Sequence, residues 1–271
     1  QILSSNLVSN GDFSQEGVQE VSNGSFSQEG AEEVINGDFA TDSDWTLQTG
    51  WSIANNKATS VGSNIDAYLA QSNMIIGKTY KVTFDVNDYT SGELSVRVFG
   101  ESQSLSVSSV GSYVVYLTPT ATTLLGFRSA GIGGYVGSVT NISAKEVGQD
   151  WSFSSGASLT SLGAKITHTP TAGSIGQVNV LVIGNQYKLT YEITESVSGG
   201  LKFNSAVNAS MVTTVGVHTK YFEADATTAV FSRTDSSNND VTITNISVKE
   251  VGQYWELEDG WSIGENKATF D

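Results

Sequence analysis

The chain contains no cysteine. Disulfides, thiolate catalysis and cysteine-based zinc sites are therefore excluded. Histidine is nearly absent, with only His168 and His218. Proline occurs twice, and Lys plus Arg number 13 against 28 Asp plus Glu, a net charge of −15. So acidic a chain repels phosphate, which argues against nucleic-acid binding through a basic surface and against an anionic membrane face. The charge itself suits solubility in a salty medium. No apolar run approaches 18 residues, so no membrane-inserted helix is expected.

What is present is glycine (28 residues) and repetition. Asn10-Gly11-Asp12-Phe13 recurs as Asn23-Gly24-Ser25-Phe26 and as Asn36-Gly37-Asp38-Phe39, a step of 13 residues. Between the copies "SQEG" stands at 14–17 and 27–30. A longer period governs the remainder. "NISAKEVGQ" (141–149) returns as "NISVKEVGQ" (245–253), each followed by a tryptophan, Trp151 and Trp255, with Trp45 as the earlier counterpart. "GKTYKVTFDV" (77–86) parallels "GNQYKLTYEI" (184–193), and "YLTPTATTLLGFRS" (116–129) parallels "YFEADATTAVFSRT" (221–234), which sets Arg128 opposite Arg233. "GWSIANNKAT" (50–59) returns as "GWSIGENKAT" (260–269).

These periods divide the chain into N-terminal 13-residue repeats (1–35), module one (36–149), module two (150–253) and the opening of a third (254–271). The chain reads as a piece of a longer polypeptide. Tyr80, Val82, Phe84 and Val86 alternate with polar residues, as do Tyr187, Leu189, Tyr191 and Ile193. Period two marks half-buried antiparallel strands. "ANNKA" predicts a hairpin turn. With no convincing helical period, the expected fold is all-β: tandem antiparallel β-sandwich, or jelly-roll, modules behind a short-repeat β stalk or linker.

The "NGDF" opening, the "W…GW" pair, the "GKTYKVTFDV" strand and the closing "TNISVKEV" strand resemble carbohydrate-binding-module-like, galactose-binding-like jelly rolls. Such modules occur in tandem in bacteriophage tail-fibre and other virion appendage proteins. The resemblance implies non-catalytic contact with glycans through aromatic and polar residues on one sheet face or on loops. It also implies a structural calcium beside "NGDF", held by an acidic residue after the Phe. Here Ser14, Ser27 or Ala40 occupies that place, so no calcium or other cofactor is expected.

Trp51, Tyr68, Gln71 and Tyr89 are the candidate aromatic and polar glycan contacts, with Arg97, Arg128 and Arg233 as candidate cations. Aromatic rings stack on sugar faces, and guanidinium groups bond hydroxyls or an acidic glycan. The competing role for Trp51 is core, since it shares a strand face with Ile53; module two has Ala157 and Leu159 there. Arginines pair more often with carboxylates, which abound here. No nucleophile elbow, paired-carboxylate signature, P-loop or dinucleotide fingerprint appears, so catalysis is not expected. The Asn-x-Ser sequons at Asn141, Asn208 and Asn245 read as incidental.

The expected function is a structural component of a phage appendage, spacing or supporting attachment to host-surface glycans. Its expected partners are other virion proteins and copies of itself, two or three chains stacking their repeats. The alternatives are a secreted or cell-surface bacterial adhesin array, or the targeting part of a larger glycan-active enzyme. For the spare "NGDF" copies the readings are that stalk, a flexible linker, or donation of a first strand to an open edge, since modules two and three lack their own copy.

Overall fold

The computed structural model describes residues 8–63, 65–100, 104–168, 172–206, 209–234 and 238–270. Among these every regular element is a strand, and every pairing is antiparallel. The chain divides into two compact units, Gln28–Gly148, and Gln149–Asp271 together with the residues up to Ser27.

In the first unit one sheet orders Trp51–Ala54, Lys57–Val61, Val136–Val147, Thr79–Ser91 and Gly111–Leu117. The other orders Thr46–Leu47, Tyr68–Ser72, Leu124–Ala130, Glu93–Val98 and Ser104–Val107. Their inner faces share one core, in which Tyr80, Val82, Phe84 and Val86 meet Leu69, Val96 and Phe127. Phe84 and Phe127 meet edge to face with ring centroids 5.3 Å apart. Each such side chain contributes about 1.5–3 kcal/mol by leaving water.

The second unit repeats the plan. One sheet orders Ala157–Thr160, Gly163–Thr167, Asp240–Val251, Gln186–Ser198 and Gly216–Glu223; the other orders Ser152–Phe153, Ser174–Gln177, Ala229–Arg233 and Leu201–Phe203. Tyr187, Leu189, Tyr191 and Ile193 are buried, as their alternation predicts. The same unit carries a separate hairpin, Trp261–Gly264 with Lys267–Phe270.

Asparagine sets the turns. Asn55 and Asn56 both have positive φ (54° and 57°), the mirror-image turn that matches strand twist. Asn141 (φ 52°) and Asn245 (φ 49°) sit at register shifts in the closing strands Val136–Val147 and Asp240–Val251. Their amides donate to Asp85 and Glu192 at 2.8 and 2.7 Å. These two sequon asparagines thus hold β-bulges in the left-handed conformation that Asn tolerates. Asn208 lies outside the described residues.

The 13-residue repeats are neither a stalk nor a linker over their described length. Each lies as a strap against a module in its own unit, in nested order. The third copy serves module one: Phe39 packs on Trp45 at 5.4 Å, and the Trp45 indole N–H donates to the Asn36 carbonyl at 3.0 Å. The second copy serves module two: Phe26 packs on Trp151 at 5.2 Å, whose N–H donates to the Ser22 and Asn23 carbonyls. The first copy serves the third-module fragment: Phe13 packs on Trp255 at 5.1 Å, whose N–H donates to the Asn10 carbonyl at 3.0 Å. The conserved geometry within the chain comes from an Asn-Gly-x-Phe turn. In each copy the Phe N–H donates to the Asn carbonyl, and both end residues have positive φ.

Upstream of the second and third turns the strap runs along the closing strand of its module. Glu16–Gln19 pairs antiparallel with Asp240–Val251, and Glu32 bridges to Lys145. Gln19 accepts the Val248 N–H at 2.8 Å, and Glu32 accepts the Ala144 N–H at 2.8 Å. The "SQEG" glutamate clamps each of these two straps. Glu29 bonds Lys81 and Lys145 at 2.7 and 3.1 Å; Glu16 bonds Lys188 and Lys249 at 2.5 and 3.0 Å. Those lysines hold both carboxyls below the ordinary glutamate range. Val21 and Val34, the valines of these two straps, are buried within the chain.

Candidate functional site

The candidate site is the outer face of the Tyr68-bearing sheet of module one. Pairing registers place its residues. Arg128 lies opposite Tyr68 on one side and Ser95 on the other, and Gly126 lies opposite Arg97. Tyr68, Arg97 and Arg128 therefore share the outward face, with Arg97 diagonal to Arg128. Gly126 is required here by a close approach. A Cβ on it would stand 1.9 Å from the Phe99 ring, which lies across the strand. Phe99 in turn meets Tyr68 with centroids 4.6 Å apart. Arg128 pairs with Asp66 at 3.0 Å, and Asp66 is 70% exposed on its side chain, so the guanidinium is held at an accessible position. The face joins two half-buried aromatic rings and two cations in a chain of strongly negative charge.

The other expected contacts lie elsewhere. Trp51 is core: it is 7% exposed, stacks on Tyr135 at 6.2 Å and donates to the Ala67 carbonyl at 3.3 Å. Cross-strand packing accounts for its variation between copies. Trp51 faces Ser60, whereas Ala157 faces Ile166, so the bulk moves to the partner strand. Gln71 is buried and clamps the strap, accepting the Ile35 N–H and donating to the Ile35 carbonyl. Tyr89 packs on Tyr135 and donates to the Gly92 carbonyl at 3.1 Å.

Arg233 is not the counterpart of Arg128. Phe127 faces Leu69 and Val96, and Phe231 faces Ile175 and Phe203, so these two phenylalanines are equivalent. Arg128 therefore corresponds to Ser232, and Arg233 to Ser129. A shift of one residue reverses the face on which a side chain stands. On the equivalent face of module two stand Ser174, Lys202, Asn204 and Ser232, where Lys202 lies opposite Ser232 and Ser232 donates to Asn204 at 3.2 Å. The face that joins aromatic rings to two arginines thus belongs to module one. Phe99 and Asp66 were missed in the sequence, although an aromatic following Arg97 by two on a strand's polar face was a readable signal.

Other features offer less chemistry. The Asp12 and Asp38 carboxylates accept the backbone N–H groups of Ser14 and Ala40. Among the described residues no three His, Cys, Asp or Glu gather as a metal site. His218 packs on Tyr191 at 5.4 Å and bonds the Thr214 carbonyl. A cleft of about 500 Å³ is lined by Gln186, Tyr221, Glu223, Trp261 and Lys267. Its Trp261 occupies the repeat position that Trp51 fills as core.

No protein-family model matches the chain, and no curated protein matches it. Among solved structures it is similar over 83% of its length to the tandem CBM22-1–CBM22-2 domain of Paenibacillus barcinonensis Xyn10C, at 8% identity and a TM-score of 0.35, covering 99% of that chain. It is similar over 81% of its length to a chain of Sulfolobus Turreted Icosahedral Virus, at 14% identity and a TM-score of 0.23, covering 62% of that chain. Over 78% of its length it is similar to Paenibacillus xanthan lyase, at 18% identity and a TM-score of 0.25, covering 25% of that chain. At these TM-scores the likenesses add nothing to the fold. The tandem antiparallel β-sandwich rests on the chain's own strand pairing.

Proposed function

We propose that this chain is a non-catalytic structural component of a virus-particle appendage whose first module touches host-surface glycans. The observation that carries the glycan reading is the outer face of module one, where Tyr68 and Phe99 lie beside Arg97 and Arg128. Rings of this kind cover the apolar face of a sugar, while guanidinium groups bond its hydroxyls or a carboxylate. The face is open and shallow, so a single contact is weak. Many copies on one particle raise the effective concentration and convert weak contacts into firm attachment. Module two lacks the rings and the paired arginines, with Lys202 its one cation among the strand residues of that face, which suits a spacer. The appendage reading rests on the tandem modules and the strap repeats; other virion proteins and further copies of the chain would be its partners.

The test is a glycan array probed with the chain displayed multivalently on beads. Neutral and uronic-acid glycans should retain the beads, and Tyr68→Ala or Arg128→Ala should abolish retention. No retention by any glycan would remove the attachment role. Recovery of the chain from purified virus particles tests the location, and its absence there would favour a bacterial surface array.

A further inference from the structure

We propose that Asp66 sets the ligand preference of the module-one face, favouring neutral sugars over uronic acids. This preference rests on the glycan reading of the same face. Arg128 stands near the middle of that face, and the strand registers fix its neighbours. Tyr68 lies opposite it on one side and Ser95 on the other, with Glu93 and Arg97 as the diagonal neighbours that flank Ser95. Leu94, Val96 and Val98 are buried in the core, so the alternate residues Glu93 and Arg97 turn outward with Arg128. The described strands of the face, with the Asp66 turn, therefore carry Arg97 and Arg128 as cations and Asp66 and Glu93 as anions.

Backbone contacts place Asp66 independently of any ligand. Its N–H donates to the Ser129 carbonyl at 2.9 Å, and the Ser129 N–H donates to the Ala67 carbonyl at 2.8 Å. Its φ is 75°, in the left-handed region that Asp and Asn tolerate. From there the carboxylate reaches the Arg128 guanidinium at 3.0 Å, and its side chain stays 70% exposed against 30% for Arg128. The pair offers a ligand N–H donors and a carboxylate acceptor side by side. A sugar hydroxyl both donates and accepts, so neighbouring hydroxyls satisfy both halves of the pair. An ionised uronic acid only accepts. To bond Arg128 it must share the guanidinium with Asp66, a like charge, while Glu93 stands on the diagonal. Arg97 does not offset this, because the four charges sum to zero in a chain that is itself strongly acidic. Charge placed in this way rejects the wrong ligand more than it strengthens the right one.

The test compares the parent chain with Asp66→Asn, each displayed multivalently on beads. The probes are matched pairs: a neutral hexose oligosaccharide, and the same oligosaccharide with its primary hydroxyls oxidised to carboxylates. Asparagine keeps the left-handed turn and an acceptor oxygen, so folding and retention of the neutral member should hold. The parent should prefer the neutral member, with retention of that member nearly independent of salt. Asp66→Asn should move the neutral-to-acidic ratio about tenfold toward the acid, an effect that salt weakens. Glu93→Gln should move it the same way by less. An unchanged ratio in folded Asp66→Asn, with glycans still retained, would overturn the proposal and leave the glycan reading intact. Retention of no glycan by parent or variant would remove both.

Discussion

Replacing each turn glycine by alanine, one copy at a time, separates the strap's role from any general property of the repeat. In Gly37→Ala the new Cβ would lie 1.9 Å from the Ile142 carbonyl oxygen and 3.1 Å from a Val34 methyl. Ordinary contact begins near 3.4 Å, so the strap must retreat by roughly 1.5 Å. That displacement breaks the Ile142–Gly37 hydrogen bond and strains the bond from Trp45 to the Asn36 carbonyl. Each contributes about 0.5–1.5 kcal/mol. Phe39, only 2% exposed, loses part of its seat against Trp45. Full truncation of a buried Phe costs about 3–5 kcal/mol, and partial withdrawal a fraction of that. The expected loss is about 2–4 kcal/mol for Gly37→Ala, and similar for Gly24→Ala. Gly11→Ala should stay within about 0.5 kcal/mol, as an unconstrained surface change does. Urea unfolding followed by tryptophan fluorescence measures all three. Equal, small effects at positions 37 and 11 would refute the claim that the strap is an integral part of module one.

The glutamate clamp predicts a pH dependence. Because Lys81 and Lys145 lower the Glu29 carboxyl below its ordinary 4.5, its contribution is complete above that value and fades as the pH falls through the lowered native one. Glu29→Gln should therefore be less stable than the parent at pH 7 and lose less on acidification; parallel stability curves from pH 7 to pH 3 would contradict this. High salt should narrow the same difference, since the pairs are partly exposed. Trp51→Ala should cost about 3–5 kcal/mol by cavity formation, whereas Tyr68→Ala should cost about 1 kcal/mol or less. Glycan retention should show the reverse ranking once folded protein is compared, and loss of retention in folded Trp51→Ala would reinstate Trp51 as a contact.

The sequence by itself determined the strands and their inner faces. Tyr80 to Val86 and Tyr187 to Ile193 alternate because a strand has a period of two, a property of the local backbone that needs no partner to be read. It also determined the hairpin at Asn55-Asn56, since those residues tolerate positive φ. Three "NGDF"-type turns and three tryptophans were both countable, yet nothing local joins the first turn to the last tryptophan. The nested pairing arises from long-range contacts: Trp255 finds Asn10 across 245 positions of chain. Register was equally hidden. The repeats around Arg128 and Arg233 align by eye with an offset one residue from the structural one, and the hydrogen-bonded ladder alone places Ser232 on the face that Arg128 occupies. Tertiary structure also decided which rings are core, because Trp51 and Tyr68 differ in what packs over them rather than in their own chemistry. The repeated stretch thus forms a set of straps, each seated by its Phe on one tryptophan: the third copy beside its partner in sequence, the first two far from theirs.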